Sequence, residues 1–310
     1  MNTDFCVAGS INMDIITRTP RFPLPGETLK AVSVSFMPGG KGANQAVALA
    51  RLGGSVGMIG SLGDDILGQQ YLSVLAGLGI GQAGISVLPG ETTGTASISV
   101  ADSGENEIMI VAGANDRVSP EYIRKHRALI EESAFLLLQL EIPLDSVIEA
   151  ARIARRAGRF ILLDPAPAVP LPDELLSLVD AITPNETEAA LLTGRTTESE
   201  EGIRNAADAL QQKGVRTVII KAGSRGAYLL DGERFLHVEG FRVKTVDTVA
   251  AGDSFNAGFA FALNRKYPAE KAVRFANAVA AISTTREGAQ SAMPEMKDLD
   301  AFFAEPGRVL

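Results

Sequence analysis

The sequence predicts an α/β fold of three layers: a mainly parallel β-sheet flanked by helices, with a small separate β-sheet built from two insertions. Predicted strands alternate with amphipathic helices through most of the chain. Polar residues suited to chemistry fall just beyond the C-terminal ends of those strands, where ligands sit in such sheets. Four further strands, at about residues 14–38 and 91–112, interrupt the alternation and form a candidate lid.

The 310 residues are 46% hydrophobic and 21% charged, enough to bury a sizeable core. Length alone allows one large domain or two small ones. With no internal repeat, low-complexity tract or linker to divide it, a single domain over 1–310 is expected. The net charge is −8, from 29 basic and 37 acidic residues with no run of Lys or Arg, so nucleic acid and anionic membrane are poor partners. The lone cysteine, Cys6, rules out an intramolecular disulfide and suits a reducing compartment. His126 and His237 stand too far apart to build a His/Cys metal cluster. Met1-Asn-Thr-Asp lacks a basic leader and no apolar run approaches the length of a membrane span, so a cytoplasmic protein is expected.

In chain order, Phe5–Gly9 is a buried strand, leading to Asn12 and Asp14. Two apart on extended chain, these two point the same way, either into a site or out from a surface loop. Ile15–Thr19 and Thr28–Phe36 are predicted strands separated by Pro20, Pro23, Pro25 and Gly26. In the second, Val32, Val34 and Phe36 alternate with Ala31, Ser33 and Ser35, as on a sheet with one covered face. Pro38-Gly-Gly-Lys-Gly-Ala-Asn-Gln45 enters a helix whose apolar face is Ala43, Ala46, Val47 and Ala50. Such a glycine-rich entry lets backbone approach a ligand, although the P-loop spacing is absent; Lys41 alone is more often a solvated charge, and the glycines are the better signal. Val56–Gly60 is a strand and Ile66–Leu78 a helix. Gly79-Ile-Gly-Gln-Ala-Gly84 matches G-x-G-x-x-G but follows a helix and precedes a strand, the reverse of the order a dinucleotide fold needs. Thr93–Val100 and Glu107–Val111 form a hairpin about Asp102-Ser-Gly104.

Thereafter β-α units repeat. Ser119 and Pro120 open a helix as cap and first residue. Strands Phe135–Leu140, Phe160–Asp164, Ala181–Thr183 and Val215–Lys221 end at Glu141, Pro165, Asn185 and Gly223. Two short strands pass through Tyr228 and Phe235, and a late helix runs from about Pro268 to Thr284.

Thr245-Val-Asp-Thr-Val-Ala-Ala-Gly-Asp253 predicts the end of a strand, a turn at Ala250-Ala251-Gly252, and a helix opening at Asp253 with Phe255, Gly258, Phe259 and Ala262 on its buried face. A helix start presents unpaired N–H groups and a positive dipole end, a site for phosphate. Asp253 is then either an ordinary N-cap or a base that takes a proton from a hydroxyl attacking phosphorus.

Gly9-Ser-Ile-Asn-Met-Asp14, Gly39-Gly-Lys-Gly-Ala-Asn-Gln-Ala46, Thr183-Pro-Asn-Glu-Thr-Glu188, Gly223-Ser-Arg-Gly226 and Asp247-Thr-Val-Ala-Ala-Gly-Asp253 together resemble the PfkB carbohydrate kinase family, in its order and nearly end to end. The resemblance implies an ATP-dependent kinase that phosphorylates the 5-hydroxyl of ribose. By position, Asn12, Asp14, Gly40, Lys41, Asn44, Glu141 and Asp253 match the substrate-binding set, and Asp253 also matches the base. Ala250, Ala251 and Gly252 match the anion hole. Asn185, Lys221, Gly223, Ser224, Gly226, Gly252 and Asn277 match the nucleotide site, and Glu188 with Asn185 matches a motif linked to Mg²⁺. The resemblance also implies a monovalent cation, K⁺, at Asp247, Val249, Ser283, Arg286 and Gly288, and a homodimer through the lid. Two positions depart from the pattern: Lys221 replaces a small polar residue, and Ala292, beside Ser291, replaces a serine of the cation site.

A kinase for 2-deoxyribose, a ketose, a keto-deoxy sugar acid or a nucleoside is the alternative within the family. A sugar- or nucleotide-binding regulator without catalysis is the alternative outside it, and the intact Gly252-Asp253 pair argues against that.

Overall fold

A four-residue apolar run, β1 (Phe5–Ala8), is buried on both faces and sits inside the larger sheet. The computed structural model describes residues 3–310; Met1 and Asn2, which begin the segment read as lacking a leader, lie outside them. From β1 the chain passes into a smaller sheet through β2 (Asn12–Thr19) and β3 (Ser33–Gly39). It returns through α1 (Lys41–Arg51), β4 (Val56–Gly63), α2 (Ile66–Gly77) and β5 (Gly81–Leu88), and β6 (Gly94–Ala101) with β7 (Asn106–Val111) completes the smaller sheet. The β-α units follow: α3 (Pro120–Lys125), α4 (Arg127–Glu131), β8 (Phe135–Leu138), α5 (Leu144–Arg156), β9 (Phe160–Leu163), α6 (Asp173–Leu178), β10 (Ala181–Ile182), α7 (Glu186–Thr193), α8 (Glu200–Gln212) and β11 (Thr217–Lys221). A hairpin of β12 (Gly226–Asp231) and β13 (Arg234–Glu239) leads to α9 (Ala251–Asn264), α10 (Ala269–Ser283) and α11 (Met296–Ala304).

The larger sheet runs β13-β12-β11-β10-β9-β8-β1-β4-β5, parallel from β11 to β5 and antiparallel across the hairpin. Its strands are apolar on both faces because each face has a helical layer. Phe5 and Val7 join a core with α1, α2, α9, α10 and α11, while Cys6 and Ala8 join another with α3 to α8. The smaller sheet runs β3-β2-β6-β7, with β2 and β6 parallel and the outer pairs antiparallel. No helix among the described residues is long and apolar enough to cross a membrane.

The structure corrects four details. The second strand of the smaller sheet is Ser33–Gly39 rather than Thr28–Phe36. Its apolar residues Val34 and Phe36 are exposed, not covered. Asn12 and Asp14 stand at the start of β2 in the smaller sheet, not at the end of β1. Finally, Thr245–Val249 is irregular rather than a strand, and α9 begins at Ala251, two residues before Asp253.

The G-x-G-x-x-G match runs into β5 and opens no helix, which removes the dinucleotide reading. Residues Asp253 to Ala262 of α9 are buried all round, as expected of a helix packed inside a layer. Gly258 permits the close approach of α10, since a Cβ there would lie 2.9 Å from Val279 Cγ2 and 3.1 Å from Ala276 Cα.

Candidate active site

Ala250 takes the left-handed conformation, with φ 58° and ψ 16°, and turns the chain into α9 with no side-chain cap. Ala251 donates its N–H to Thr248 O at 3.2 Å, so it is already engaged. Gly252 and Asp253, second and third in the helix, are left by the geometry of a helix start without intrahelical acceptors. Asp253 is therefore not the N-cap. Its carboxylate is buried and accepts hydrogen bonds from Asn44 Nδ2 at 3.0 Å and Gln45 Nε2 at 3.2 Å, both from α1.

Around it lies an acid-rich cluster. Gln45 Nε2 also donates to Asp164 Oδ2 at 3.1 Å, so one amide bridges two buried carboxylates. Burial lifts the Asp253 pKa to about 6; Lys41 opposes the rise, Asp164 adds to it, and the bonds from Asn44 and Gln45 lower it. Asp14 is pushed up to about 7 by burial and by the charges of Glu141 and Asp253. Burial works against the Lys41 ammonium, but Asp253, Asp164, Glu141 and Glu188 override it and hold the group charged. Glu141 accepts from Ser10 Oγ at 2.5 Å and from Lys41 N at 3.1 Å, which ties the end of β8 to the start of α1. Gly40 has φ 84°, and a Cβ there would lie 2.6 Å from Asn12 N, so the turn requires glycine twice over. Asn12 is buried, its Oδ1 accepting from Asn115 Nδ2 at 2.7 Å.

Beside this cluster opens a cavity of about 910 Å³. Lys41, Asn185, Glu188, Lys221, Gly223, Ser224, Gly226, Asn277 and Ala250 to Asp253 all line it, which brings the residues matched to nucleotide together with those of the helix start. Asn185 and Glu188 form a capping box at α7, with Glu188 N donating to Asn185 Oδ1 and Asn185 N donating to Glu188 Oε2. Burial raises the Glu188 pKa against the pull of Lys221. Asn277 donates to Val238 O and Glu239 O and so fastens α10 to β13. Lys221 Nζ donates to Asp164 Oδ1 at 3.0 Å, and the two side chains are 14% and 3% exposed.

The residues matched to a monovalent cation gather at an adjoining turn. Asp247 accepts from Val249 N at 3.0 Å and Gly288 N at 2.9 Å, while Val246 N and Asp247 N both donate to Thr284 O at the end of α10. Ser283 turns its hydroxyl to Ala280 O, and Arg286 pairs with Asp298, so the guanidinium points away from Asp247. Ala292 is buried and Ser291 Oγ donates to Glu287 O.

Sequence reasoning missed several residues that the structure places in the cluster. Gln45 and Asp164 contact Asp253 or its partner directly. Gln290 donates to Asn44 Oδ1 at 3.1 Å and to Tyr71 OH at 2.6 Å, and Asn115 positions Asn12. One signal was available: Asp164 ends a parallel strand at the edge where ligands bind.

A family model for pfkB family carbohydrate kinases matches residues 2–296. The chain is 44% identical over 303 residues to a ribokinase of Haemophilus influenzae, covering 98% of this chain and 99% of that relative. It is 36% identical over 302 residues to a deoxyribokinase of Salmonella typhi, covering 97% and 99%. Among solved structures, a ribokinase of Arabidopsis thaliana complexed with ribose and ATP matches with a TM-score of 0.94 at 35% identity, covering 98% of this chain and 100% of that one. A ribokinase of Thermotoga maritima matches at 0.90 and 37% identity, with the same coverage. The large sheet between helical layers, with its separate small sheet, is thus a ribokinase-like fold. With a family match over nearly its whole length, this chain belongs to the pfkB family of carbohydrate kinases.

Proposed function

We propose that the protein transfers the terminal phosphoryl group of ATP to the 5-hydroxyl of D-ribose, giving ribose 5-phosphate and ADP. The observation that carries this is Asp253, a buried carboxylate at the mouth of a helix start, with polar groups suited to a sugar on one side and the cavity on the other. Asn12, Asp14, Gly40, Lys41, Asn44 and Glu141 hold the sugar hydroxyls. Asp253 accepts the proton of the attacking hydroxyl as the oxygen–phosphorus bond forms, and the Ala250-Ala251 turn aims the free N–H groups of Gly252 and Asp253, with the Lys41 ammonium, at the transferred group. Phosphoryl transfer asks mainly for such positioning and charge stabilisation. Asn185, Lys221, Gly223, Ser224, Gly226 and Asn277 surround the nucleotide.

Magnesium, when bound with ATP, neutralises phosphate charge, and the carboxylate of Glu188 facing the cavity suits such a hard cation. Potassium would be held at the Asp247 turn by oxygens of Asp247, Val249, Ser283, Arg286 and Gly288, a turn that the bonds from Val249 N and Gly288 N to the Asp247 carboxylate draw together. Arg286 can take part only through its carbonyl, since its side chain is paired with Asp298. We propose a single functional domain over 1–310 acting in the cytoplasm. The lid of residues 14–38 and 91–112 pairs with that of a second copy, which would cover Val34 and Phe36.

The test is ADP release from Mg-ATP in potassium buffer over D-ribose, 2-deoxyribose, fructose, a keto-deoxy acid and nucleosides, with Asp253→Asn as control. A substrate lacking one hydroxyl leaves a buried polar group unpaired, so kcat/KM should favour ribose over 2-deoxyribose by roughly 100-fold or more. Comparable values for the two sugars would sink the sugar assignment, and a deoxyribokinase among the relatives makes that comparison the one that matters. Absence of turnover with any alcohol would point instead to a regulator.

A further inference from the structure

Lys221 is an expensive residue for the fold to keep where it stands. Its ammonium is nearly buried against a carboxylate that is almost fully buried, and exchanging such a pair for neutral residues of similar volume is often neutral or stabilising. Stability alone therefore does not account for it. Its position is informative: a methyl group added to Gly252 would lie 3.4 Å from Lys221 Nζ. The ammonium thus faces the same volume as the N–H groups of the helix start.

The charge around that volume makes a second cation useful. Asp14, Glu141, Asp164, Glu188 and Asp253 crowd Lys41 or one another. A polyphosphate entering the cavity meets Asp164, Glu188 and Asp253 on its wall, with Lys41 and Lys221 as the two lysines there and Arg242 as a further cation. Asp164 holds Lys221 through Oδ1, while its Oδ2 accepts from Gln45 Nε2, which also bonds Asp253. Asp164 therefore keeps a partner when the ammonium turns toward an anion.

We propose that Lys221 contacts the terminal phosphate of the nucleotide, with Asp164 as the positioning residue that aims it at the helix start. The proposal rests on the kinase reading above but concerns a charge which that reading does not need. It also explains why a lysine can stand where the family pattern has a small polar residue: it comes with a buried carboxylate to hold it.

The test compares wild type with Lys221→Thr, Asp164→Asn and the double variant Asp164→Asn/Lys221→Thr. Each is titrated with Mg-ADP and with the Mg complex of a non-hydrolysable ATP analogue, alongside thermal unfolding and kinetics with ribose. The single variants can be unstable because each strands a charge or its partner, whereas the double variant is uncharged and should unfold near wild type. In the double variant, Mg-ADP affinity should hold, while the analogue should bind about 10- to 100-fold more weakly, the worth of one hydrogen bond to a charged group. Lys221→Thr should show the same loss, kcat should fall in parallel, and Asp164→Asn should show a smaller one. A double variant with the wild-type preference for the analogue and wild-type kcat would make the pair a structural bridge and overturn the proposal. Equal affinity of wild type for the two nucleotides would also overturn it. If wild type binds both nucleotides but turns over no sugar, the kinase reading fails and the binding ratio still decides the role of Lys221.

Discussion

Replacing Asp253 with Asn separates the two roles that a carboxylate at a helix start can have. Burial is the main reason its pKa rises from 3.8 to about 6. At about 1.36 kcal/mol per unit, that is roughly 3 kcal/mol held against the charged form in the folded state. For a carboxylate raised on folding, the cost is fully present above about pH 6 and vanishes as pH falls toward 4. Asn escapes the charge but has one acceptor oxygen, so its amide must face either Asn44 Nδ2 or Gln45 Nε2. Asn44 cannot simply turn over, because its own Oδ1 accepts from Gln290. One lost hydrogen bond costs about 1 kcal/mol, leaving the variant about 1–2 kcal/mol more stable than wild type near neutrality. Urea unfolding at about pH 7.5 and about pH 4.5 should show that advantage shrinking at the lower pH. In ADP release with ribose, kcat should fall roughly 10²- to 10⁴-fold with the ribose KM little changed. An N-cap behaves otherwise, since Asn caps as well as Asp and the exchange would be neutral for stability and chemistry alike. A variant with most of wild-type kcat, or a stability difference independent of pH, would refute the reasoning.

The same carboxylate predicts an acid limb in the kcat profile near pH 6, with activity about tenfold lower one unit below it. Lys41→Met removes the cation that holds Asp253 ionised, so the limb should move up; a limb that stays or moves down contradicts the assignment. Ala250→Gly relieves left-handed strain of about 1–2 kcal/mol against a smaller entropy cost in the unfolded chain. Its unfolding midpoint should therefore equal or exceed that of wild type, and a clear loss would mean the methyl group is needed for packing. In the smaller sheet, pairing through Ile15 and Ser97 places Phe36 and Met109 on one face, opposite Asp14. Light scattering at micromolar concentration should find a dimer for wild type and a monomer for Phe36→Asp, and a monomeric wild type would remove the proposed interface.

The layered fold was legible because its signals are local and repeated. Apolar runs ending at Pro, Asn or Gly announced the parallel strands, and Ser119-Pro120 announced a helix that the structure caps as expected. The failures share a physical cause, which is that side chains and distant backbone can satisfy a segment that looks extended. Thr245–Val249 has the β-branched composition of a strand, but its N–H groups go to Thr284 O and to the Asp247 carboxylate instead of a ladder. Residues 28–32 have the apolar pattern of a strand, but among them Val32 bonds back to Arg18 O and regular pairing starts at Ser33. Placing the helix start at Asp253 followed the habit that Asp caps helices. A left-handed Ala250 does that work here, and no composition rule foresees it.

At the site, sequence could nominate the base but not tune it. The Asp253 carboxylate meets Asn44 and Gln45 from some two hundred residues earlier in the chain, and Gln45 in turn reaches Asp164 at the end of a strand in between. Buried amides such as Gln45, Gln139 and Gln290 have the composition of surface residues, so nothing local marks them as members of a hydrogen-bonded core. Gln139 Nε2 donates to Gln45 Oε1, which fixes the orientation of that amide and makes its nitrogen the donor to both carboxylates. The pKa of Asp253, the proposed base, therefore depends on an amide two hydrogen bonds removed from it. A carboxylate poised near neutrality is a property of α1, the ends of β8 and β9, and α9 packed together, and it can be read only once those elements share one place.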